Sequence, residues 1–470
     1  MTNNQVNMRE LALEILLKVL EQEEYSNVVL QQVLTTYQYL EKQDRAFLTR
    51  LCEGTIERKI ELDYILNQFS KVKVKKMKPV IRNILRLGVY ELKYMENIPA
   101  RATCNEAVKL AQKKGFYNLK GFVNGVLRNI ERKKEDIIYP DKKKQPVTYL
   151  SVCYSMPEWI VQMWKQQYGL ALTETMLKAA FNEHPTTIRC NCEKTTVEQL
   201  TTSLCQENIR VEPGAYVDTA LYISGYNYLK KIEAFKKGEF TIQDESSMLV
   251  ALAADVKKED FVIDVCAAPG GKSMHVAERL QGTGRVSSRD ISEQKVERIR
   301  ENAERLGLKN VEPKVQDALT VDDTVLGKAD IVIADLPCSG LGVIGKKNDI
   351  KYKASMEGIR ELVRLQRDIL KIVSSYLKPG GTLIYSTCTV NQMENEENVK
   401  WIEETLGLQP ESLDAYIPEK LHSETTKQGF LQLIPGVQPT DGFFLSRFKK
   451  PVSLKRNEEK MEQIDIKSLS

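Results

Sequence analysis

From Met8 to about Ile130, apolar residues recur every three or four positions along the chain. This spacing places them on one face of an α-helix and predicts a series of amphipathic helices. Because strand signals are absent from this segment, residues 1–140 are predicted to form an all-helical domain. Typical positions are Leu11, Ile15, Leu16, Val19 and Leu20 in one helix and Ile81, Ile84, Leu85, Leu87 and Val89 in another.

Residues 131–145 are rich in Lys and contain Pro140, a composition typical of a linker. Beyond them, residues 150–240 are predicted to form a small α/β region that binds RNA or links two domains. Helices are expected near 157–168 and 173–181, and a strand at Thr186–Cys190. Pro157 is expected at the first helical position, where its missing N–H costs nothing.

From Gly238 onward, short β-prone runs alternate with amphipathic stretches, as in a doubly wound parallel sheet. The runs are 261–265, 285–288, 331–334 and 382–385. Residues 241–450 are therefore predicted to form an α/β domain around such a sheet. The polar residues 451–470 are expected to form a disordered tail.

The composition fits a folded, multidomain chain, since 470 residues with 42% hydrophobic residues suffice for about three domains.

No apolar run reaches the roughly 18 residues of a membrane span, and Glu10 and Glu14 interrupt the first apolar stretch. The chain is expected to be cytoplasmic and monomeric. Its nine scattered Cys predict free thiols, and its three distant His predict no metal site.

Charge is unevenly distributed along the chain, although 68 basic and 64 acidic residues give a net charge of only +4. Residues 1–150 hold 27 basic and 18 acidic residues. A run of five Lys is predicted to lead a helix that continues through Arg82 and Arg86. It is either a solvated face or a phosphate-binding face, and the sequence leaves both open. The run is Lys71, Lys73, Lys75, Lys76 and Lys78, and the excess continues at Lys113, Lys114, Lys120, Arg128, Arg132, Lys133 and Lys134.

The first strand of the predicted sheet runs into a loop of small residues followed by a helix. Such a loop lets a ligand approach the backbone and meet the free N–H groups of the helix. A phosphate-binding loop would need Gly where Cys266 stands, and a G-x-G-x-x-G fingerprint is absent. S-adenosylmethionine remains as the favoured ligand. The loop consists of Cys266, Ala267, Ala268, Pro269, Gly270, Gly271 and Lys272.

Two carboxylates follow the next strands in order. Asp290 closes the second strand about 20 residues after the loop, where a carboxylate can accept hydrogen bonds from both ribose hydroxyls of an adenosyl ligand. Asp317 lies where the third strand should end and could accept from the adenine amino group. Each Asp alone is weak support for this site, but the ordered set of loop and carboxylates favours it.

Two thiols follow the fourth and fifth strands, Cys338 after Asp335 and Cys388 after Ser386 and Thr387. Because both lie at carboxyl ends of strands, they are predicted to face one cleft beside the loop. A methyl donor beside a thiol suits cytosine C5, which becomes nucleophilic only when a thiolate adds at C6. Asp335 could then hold N3 and N4 of the ring, and the second thiol could assist release. The residues alone do not decide which thiol attacks.

These motifs resemble those of the Nop2/Sun (Fmu) family of RNA cytosine-5 methyltransferases. The resemblance covers residues from about 150 to 450 and includes 266–272, 337–339, 386–389 and 441–444. It implies a Rossmann-like class I S-adenosylmethionine-dependent methyltransferase domain, with Cys388 as the nucleophile and Cys338 as the thiol of product release. It also implies that the loop, Asp290, Asp317 and Asp335 line the methyl-donor site.

The helical residues 1–140 resemble the NusB-like RNA-binding domain at 82–88 and 122–128. This domain ahead of such a core is typical of bacterial members, which modify one cytosine of 16S rRNA, so the resemblance implies 16S rRNA as the partner. Two positions depart from the family pattern. Asn348 stands where Pro commonly precedes Asp349, which puts the local loop shape in doubt, and Arg289 replaces a small or apolar residue at the edge of the ribose pocket.

Two other functions stay open. The basic helical domain would equally suit an RNA-binding assembly or antitermination factor whose methyltransferase core is vestigial. The intact Cys338, Cys388 and Asp290 argue against this, because a degenerate site should have lost some of them. A tRNA cytosine-5 methyltransferase of the same family is the second alternative, and only the NusB-like domain argues against it.

Overall fold

The computed structural model describes residues 6–182 and 185–452. The chain divides into two compact units, Met1–Asn182 with Val343–Ala354, and Glu183–Gly342 with Ser355–Ser470. The predicted domain boundaries near 140 and 240 stay predictions, and all but the first two residues of the predicted tail lie outside the described part. Within that part, we find no helix with the length and apolarity that a membrane crossing requires.

Between residues 6 and 182 the first unit contains helices and no strand, and the apolar spacing predicts those up to about Ile130. The buried faces of its first seven helices form one core, which includes Leu13, Leu51, Leu85 and Leu127. The helices are α1 (Met8–Glu21), α2 (Ser26–Thr36), α3 (Lys42–Glu57), α4 (Lys59–Phe69), α5 (Pro79–Tyr94), α6 (Ala100–Lys113), α7 (Lys120–Arg132), α8 (Pro146–Cys153) and α9 (Glu158–Ala179).

The helix expected to begin at Pro157 begins one residue later. Pro157 is the N-cap of α9, with ψ of 132°, because an extended residue at this position lets the chain enter the helix. Gly169 has φ of +76° and interrupts the helical geometry inside α9. The two halves of α9 therefore correspond to the two helices that the sequence predicts near 157–168 and 173–181.

The predicted basic helix is wrong in two respects. The five Lys between 71 and 78 are exposed but precede α5, which begins at Pro79. Arg82 forms an ion pair with Glu21, and Arg86 is buried with its Nε 2.7 Å from an oxygen of Asp63. Their charges are neutralised within the unit, so the possible phosphate-binding face does not extend through these two Arg residues.

The segment Val343–Ala354 belongs to the first unit although it follows the Cys338 loop in sequence. Asp349 accepts hydrogen bonds from Ser26 N at 3.2 Å and Ser26 Oγ at 2.5 Å, at the first turn of α2. The N-cap of that helix, Tyr25, provides no side-chain hydrogen bond of its own. Lys351 Nζ donates to the carbonyl oxygen of Glu57 at 2.9 Å. The departure at Asn348 thus leaves Asp349 with a defined structural role, the cap of α2.

The second unit begins with a small antiparallel sheet in the order β2 (Arg210–Pro213), β3 (Ala220–Ser224), β1 (Thr186–Cys190), β4 (Phe240–Ile242). The predicted strand at 186–190 is present with those bounds. The elements are β1 (Thr186–Cys190), α10 (Val197–Gln206), β2 (Arg210–Pro213), β3 (Ala220–Ser224), α11 (Glu233–Lys236) and β4 (Phe240–Ile242). Arg189 of β1 donates to Gln243 Oε1 at 2.7 Å and forms a buried ion pair with Glu278, which fixes this sheet against the following part of the second unit.

The larger sheet of this unit has eight strands interleaved with helices. Its elements are α12 (Glu245–Ala254), β5 (Phe261–Asp264), α13 (Gly271–Arg279), β6 (Arg285–Asp290), α14 (Glu293–Leu306), β7 (Val311–Val315), β8 (Ala329–Asp335), α16 (Met356–Val373), β9 (Leu377–Thr387), α17 (Glu396–Leu406), β10 (Gln409–Pro410), α18 (Glu424–Lys427), β11 (Phe430–Leu433) and β12 (Phe443–Lys449). The short helix α15 (Ile350–Lys353) lies in the first unit.

The strand order is β10-β12-β9-β8-β5-β6-β7, and β11 also pairs with β12. The five strands from β9 to β7 are parallel, as predicted, whereas β10, β11 and β12 add an antiparallel edge. Apolar clusters cover both faces of the sheet. The order of the strands reverses between β5 and β8, where sheets of this class form a ligand crevice at the carboxyl ends.

Candidate active site

The loop between β5 and α13 lies at this reversal point. Gly270 has φ of +104° and forms the N-cap of α13, and a Cβ here would lie 2.9 Å from Met274. Its conformation turns the chain sharply into the helix, whose first N–H groups have no partner within the helix. Ala267 N donates to the carbonyl of Arg289 at 2.8 Å, which attaches the loop to β6. The loop therefore has the backbone geometry that the sequence predicts for a ligand cradle.

Asp264, the last residue of β5, is a site residue that sequence reasoning missed. It is fully buried, and its Oδ2 accepts from Ser273 Oγ at 2.6 Å. Its Oδ1 has no hydrogen-bond partner among the described residues. Burial raises the pKa of Asp264 to about 7. A buried acceptor beside the loop suits a ligand that carries positive charge, and the signal in the sequence was its place directly before the loop.

Asp290 ends β6, and its carboxylate contacts the loop. Its Oδ2 accepts from Ala268 N at 3.0 Å, and its Oδ1 accepts from Ile291 N at 2.8 Å and from Lys295 Nζ at 2.9 Å. A carboxylate offers about four acceptor positions, so one remains for a ligand hydroxyl without displacing these hydrogen bonds.

Arg289 does not alter the edge of this pocket. Neighbouring side chains of a strand point to opposite faces, so Arg289 lies on the other side of β6 from Asp290. It is buried there, with Nη2 3.1 Å from an oxygen of Asp322.

Asp317 follows the end of β7 by two residues and is half-buried. Its Oδ1 accepts from Leu319 N at 2.9 Å, which closes a local turn. Gln316 N donates to the carbonyl of Asp290 at 3.0 Å. The carboxyl ends of β6 and β7 are adjacent, and the structure thus brings Asp317 to the same rim as Asp290 and the loop.

Asp335, at the end of β8, connects three of the predicted motifs. Its Oδ2 accepts from Lys272 Nζ of the loop at 2.7 Å, and its Oδ1 accepts from Ser386 Oγ at 2.8 Å. Burial lowers the pKa of Lys272, but the carboxylates of Asp335 and Asp264 outweigh it, so the pKa is raised and the amine stays charged. Lys272 Nζ also lies 5.4 Å from the ring centroid of Phe443, a cation–π contact.

Cys338 and Cys388 meet at the same rim of the sheet, with their Sγ atoms 3.3 Å apart. The hydrogen bond with Cys388, burial and the charge of Glu394 together raise the pKa of Cys338 well above its usual value. Cys388 interacts instead with the positive charge of Lys272. The two thiols, which the sequence could not distinguish, therefore differ in their charged neighbours: a cation beside Cys388 and an anion beside Cys338.

Two glycines allow the cysteine loops to pack against the segment 441–444. Gly342 N donates to the carbonyl of Cys388 at 3.1 Å, and Gly442 N donates to the carbonyl of Gly342 at 2.9 Å. A Cβ on Gly342 would lie 2.1 Å from the carbonyl oxygen of Gly442 and 2.8 Å from that of Cys388. A Cβ on Gly442 would likewise lie 2.7 Å from the Cα of Gly342, so only glycine fits at both positions, which gives a physical reason for the glycine in the closing motif.

Sequence reasoning also missed Ser386, Phe443 and Glu394. The first two stand inside the quoted motifs, which was the available signal. Glu394 begins an acidic stretch, a composition typical of a solvent-exposed segment. The Glu394 side chain is nevertheless fully buried and contacts Ser339 of the Cys338 loop. Over residues 6–182 and 185–452, no three His, Cys, Asp or Glu side chains come together as metal ligands.

A mainly parallel sheet of this order, with a small-residue loop after its first strand, has the doubly wound Rossmann-like fold, and the matching family model makes it a methyltransferase domain. The chain belongs to the family described as 16S rRNA methyltransferase RsmB/F, whose family model matches residues 251–449. Models of the NusB family and of the ferredoxin-like domain of RsmF/B-like methyltransferases match residues 6–132 and 156–227. The family resemblance and the predicted fold class, with an N-terminal NusB-like domain, are confirmed.

Relatives of known name span almost the whole chain. The probable ribosomal RNA small subunit methyltransferase B of Bacillus subtilis is 38% identical and covers 94% of this chain and 99% of its own length. Ribosomal RNA small subunit methyltransferase B of Serratia proteamaculans is 30% identical over 95% of this chain and 99% of its own. The crystal structure of PH0851 shares the fold, with a TM-score of 0.80 at 24% identity over 95% of this chain and 99% of its own.

Proposed function

We propose that this protein transfers a methyl group from S-adenosylmethionine to C5 of one cytosine in 16S rRNA through a covalent adduct. The observation that carries the proposal is the pair of thiols 3.3 Å apart at the carboxyl rim of a methyltransferase sheet. Cytosine C5 is too poor a nucleophile to take a methyl group unless a thiolate first adds at C6. The names of the relatives, which specify small-subunit rRNA, support the substrate.

The residues around the loop fit S-adenosylmethionine, which supplies an electrophilic methyl group on a sulfonium. The unpartnered Oδ1 of Asp264 and the backbone of residues 266–272 suit the charged methionine part. Asp290 retains an acceptor position for a ribose hydroxyl, and Asp317 is the acceptor proposed for the adenine amino group. Asp335 completes the donor site from the side of the thiols.

In the proposed reaction, the Cys388 thiolate adds to C6, and the electron pair moves to C5, which takes the methyl group. The C5 proton then leaves to a base on the Cys338 side, and the bond from Cys388 to C6 breaks to restore the ring. The amine of Lys272 stays charged and interacts with Cys388, whereas the charge of Glu394 disfavours a thiolate on Cys338. This asymmetry supports Cys388 as the nucleophile. Asp335 holds N3 and N4 and stabilises the protonated adduct.

The target base must leave its stack, since a paired cytosine cannot bring C6 to a thiol within a cleft. Unpaired or looped rRNA is therefore the expected substrate. The exposed Lys residues between 71 and 78 would add phosphate contacts that do not depend on sequence.

The test compares methyl transfer to small-subunit rRNA by the wild-type protein, Cys388→Ala and Cys338→Ala, with the exposed Cys192→Ala as the matched control. We expect no transfer by Cys388→Ala, wild-type transfer by Cys192→Ala, and a protein–RNA adduct that survives denaturing gels for Cys338→Ala. Full activity of Cys388→Ala, or turnover by Cys338→Ala without an adduct, would refute the assigned roles.

Bisulfite mapping of rRNA and tRNA from cells lacking the gene identifies the target. A single missing 5-methylcytosine in 16S rRNA is expected. A loss confined to tRNA would favour the tRNA alternative, and a chain that binds RNA but shows no donor binding by calorimetry would favour an assembly factor.

A further inference from the structure

The Cys338 loop has no regular secondary structure, yet both residues beside the thiol are fixed. The carbonyl of Pro337 accepts from Gln366 Nε2 at 2.9 Å. On the other side, Ser339 N donates to Glu394 Oε1 at 2.8 Å, and Ser339 Oγ donates to Glu394 Oε2 at 2.5 Å. Gln366 and Glu394 therefore hold the backbone on both sides of Cys338.

Glu394 is a fully buried carboxylate whose hydrogen-bond partners are neutral amide and hydroxyl groups. Burying a carboxylate without a cation is costly, and burial accordingly raises its pKa. Three hydrogen bonds to the carboxylate offset part of this cost. Two come from Ser339, and the third, at 3.2 Å, comes from Gln366 Nε2. Because this buried carboxylate directs two of its hydrogen bonds to the Cys338 loop, we infer that it holds that loop.

The hydrogen bonds around Glu394 extend to the loop that carries the second thiol. Ser339 Oγ lies 2.8 Å from Oγ1 of Thr389, the residue after Cys388. Because the Ser339 hydroxyl proton goes to Glu394, Thr389 is the donor in this hydrogen bond. One chain of hydrogen bonds thus runs from Glu394 through Ser339 to the Cys388 loop and fixes the spacing of the two cysteine loops.

Buried side chains hold both Gln366 and Glu394 in place. Asn398 Nδ2 donates to Gln366 Oε1 at 2.9 Å, and the hydroxyl of Tyr385 donates to the carbonyl of Glu394. Both Tyr385 and Asn398 are fully buried, in β9 and α17. The main chain of Glu394 and the side-chain amide of Gln366 are therefore held by a strand and a helix of the sheet framework rather than by another loop.

We propose that Glu394, supported by Gln366, is a positioning residue that holds the Cys338 thiol where product release requires it. The inference rests on the proposed function and extends it, because it assigns a role outside the donor loop and the two cysteine motifs. The charge of Glu394 also raises the pKa of Cys338 and so disfavours a thiolate there. The expected defect is in turnover, with attack by Cys388 preserved.

The first experiment measures turnover and adduct formation by the full chain with small-subunit rRNA and S-adenosylmethionine. A thiol misplaced by about 1 Å can cost about 100-fold in rate, so Glu394→Ala should lower kcat by about that factor. Its adduct should accumulate on denaturing gels, as for Cys338→Ala, with KM for the donor unchanged. Glu394→Gln keeps one acceptor for Ser339 and should recover part of kcat. The exposed neighbour Glu397→Ala is the matched control and should behave as wild type.

The second experiment needs no RNA and keeps the inference separate from the proposed reaction. Alkylation of Cys338 by iodoacetamide is followed by mass spectrometry, with the exposed Cys192 as the internal reference. Glu394→Ala frees the Cys338 loop and removes the anion beside the thiol, so Cys338 should be modified faster. The rate should rise by about 10-fold for each unit by which the pKa of Cys338 falls. Cys192 should react at an unchanged rate. If Glu394→Ala does not fold, Glu394→Gln serves in both measurements, with a smaller increase expected.

The outcomes are distinct. Wild-type turnover together with wild-type Cys338 alkylation in Glu394→Ala would overturn the positioning role. Equal loss of turnover, adduct and donor binding would also overturn it, because that pattern marks a general loss of structure. Faster Cys338 alkylation in a chain whose wild type forms no 5-methylcytosine would support the positioning role and refute the proposed reaction.

Discussion

Asp349 caps a helix that lies 323 residues earlier in the sequence. Its two oxygens accept from Ser26 N and Ser26 Oγ, and Oδ2 also accepts from Lys353 Nζ at 2.7 Å. Replacing it with Ala leaves the first turn of α2 without a side-chain cap and leaves Lys353 without its ion pair. We therefore expect Asp349→Ala to destabilise the first unit.

The magnitude follows from the hydrogen bonds and the ion pair that Asp349 makes. Removal of an N-cap acceptor costs about 1 kcal/mol, and removal of a negative charge at a helix N-terminus costs about 0.5–1 kcal/mol more. With the ion pair to Lys353, the total is about 2–3 kcal/mol, or a fall in Tm of roughly 5–10 °C for a unit of this size. Burial raises the pKa of Asp349, but the hydrogen bonds from Lys353 and Ser26 outweigh it, so the pKa is lowered. The contribution is thus present at neutral pH and is lost as pH falls below about 4.

The assay is thermal unfolding together with amide hydrogen exchange across α2, at pH 7 and at pH 3. Asp136→Ala, an exposed Asp of the same unit, is the control and should leave both unchanged. Asp349→Asn retains one acceptor and should lose about half as much. An Asp349→Ala protein that melts within 1 °C of wild type, with unchanged exchange in α2, would refute the capping role. So would a loss of stability that is equal at pH 7 and pH 3.

The remaining predictions concern the second unit and one surface helix. The pKa of Asp264 is raised to about 7, so its contribution to stability is greatest below pH 4 and is lost as pH rises through 7. Asp264→Asn should therefore gain stability over wild type between pH 5 and 8, by up to about 4 kcal/mol in urea unfolding; a gain independent of pH would contradict this. Gly342→Ala should cost about 1–3 kcal/mol and reduce methyl transfer, because its Cβ would meet the Cys388 and Gly442 carbonyls. Gly125→Ala, in open space on α7, should instead stabilise by about 1 kcal/mol, and equal effects of the two changes would exclude crowding as the cause.

Local patterns predicted much of the fold and of the site. Apolar spacing predicted the helical first domain, and the alternation after Gly238 predicted the parallel strands. The order of motifs along those strands predicted that the loop, Asp290, Cys338 and Cys388 meet at one rim. This works because parallel strands of a doubly wound sheet carry their carboxyl ends to the same edge, so position in sequence translates directly into position in space.

Partners of individual charges could not be predicted in the same way. Arg82 and Arg86 read as part of a basic face, yet each is neutralised by a carboxylate from another helix. Glu394 reads as solvent-exposed in an acidic stretch, yet it is buried under the Cys338 loop. Periodicity reports which face of an element is apolar, but it carries no information on which distant side chain a charge will meet.

The sequence by itself therefore determined the elements, their order and the chemistry of the motifs. Only the tertiary structure decided that Asp349 caps α2, that β12 pairs antiparallel with β9, and that Lys272 and Glu394 give the two thiols opposite charged neighbours. The physical reason is the separation in sequence between the residues that interact. Element identity depends on residues a few positions apart, whereas capping, ion pairing and the state of a thiol depend on groups that folding brings within about 4 Å from distant parts of the chain.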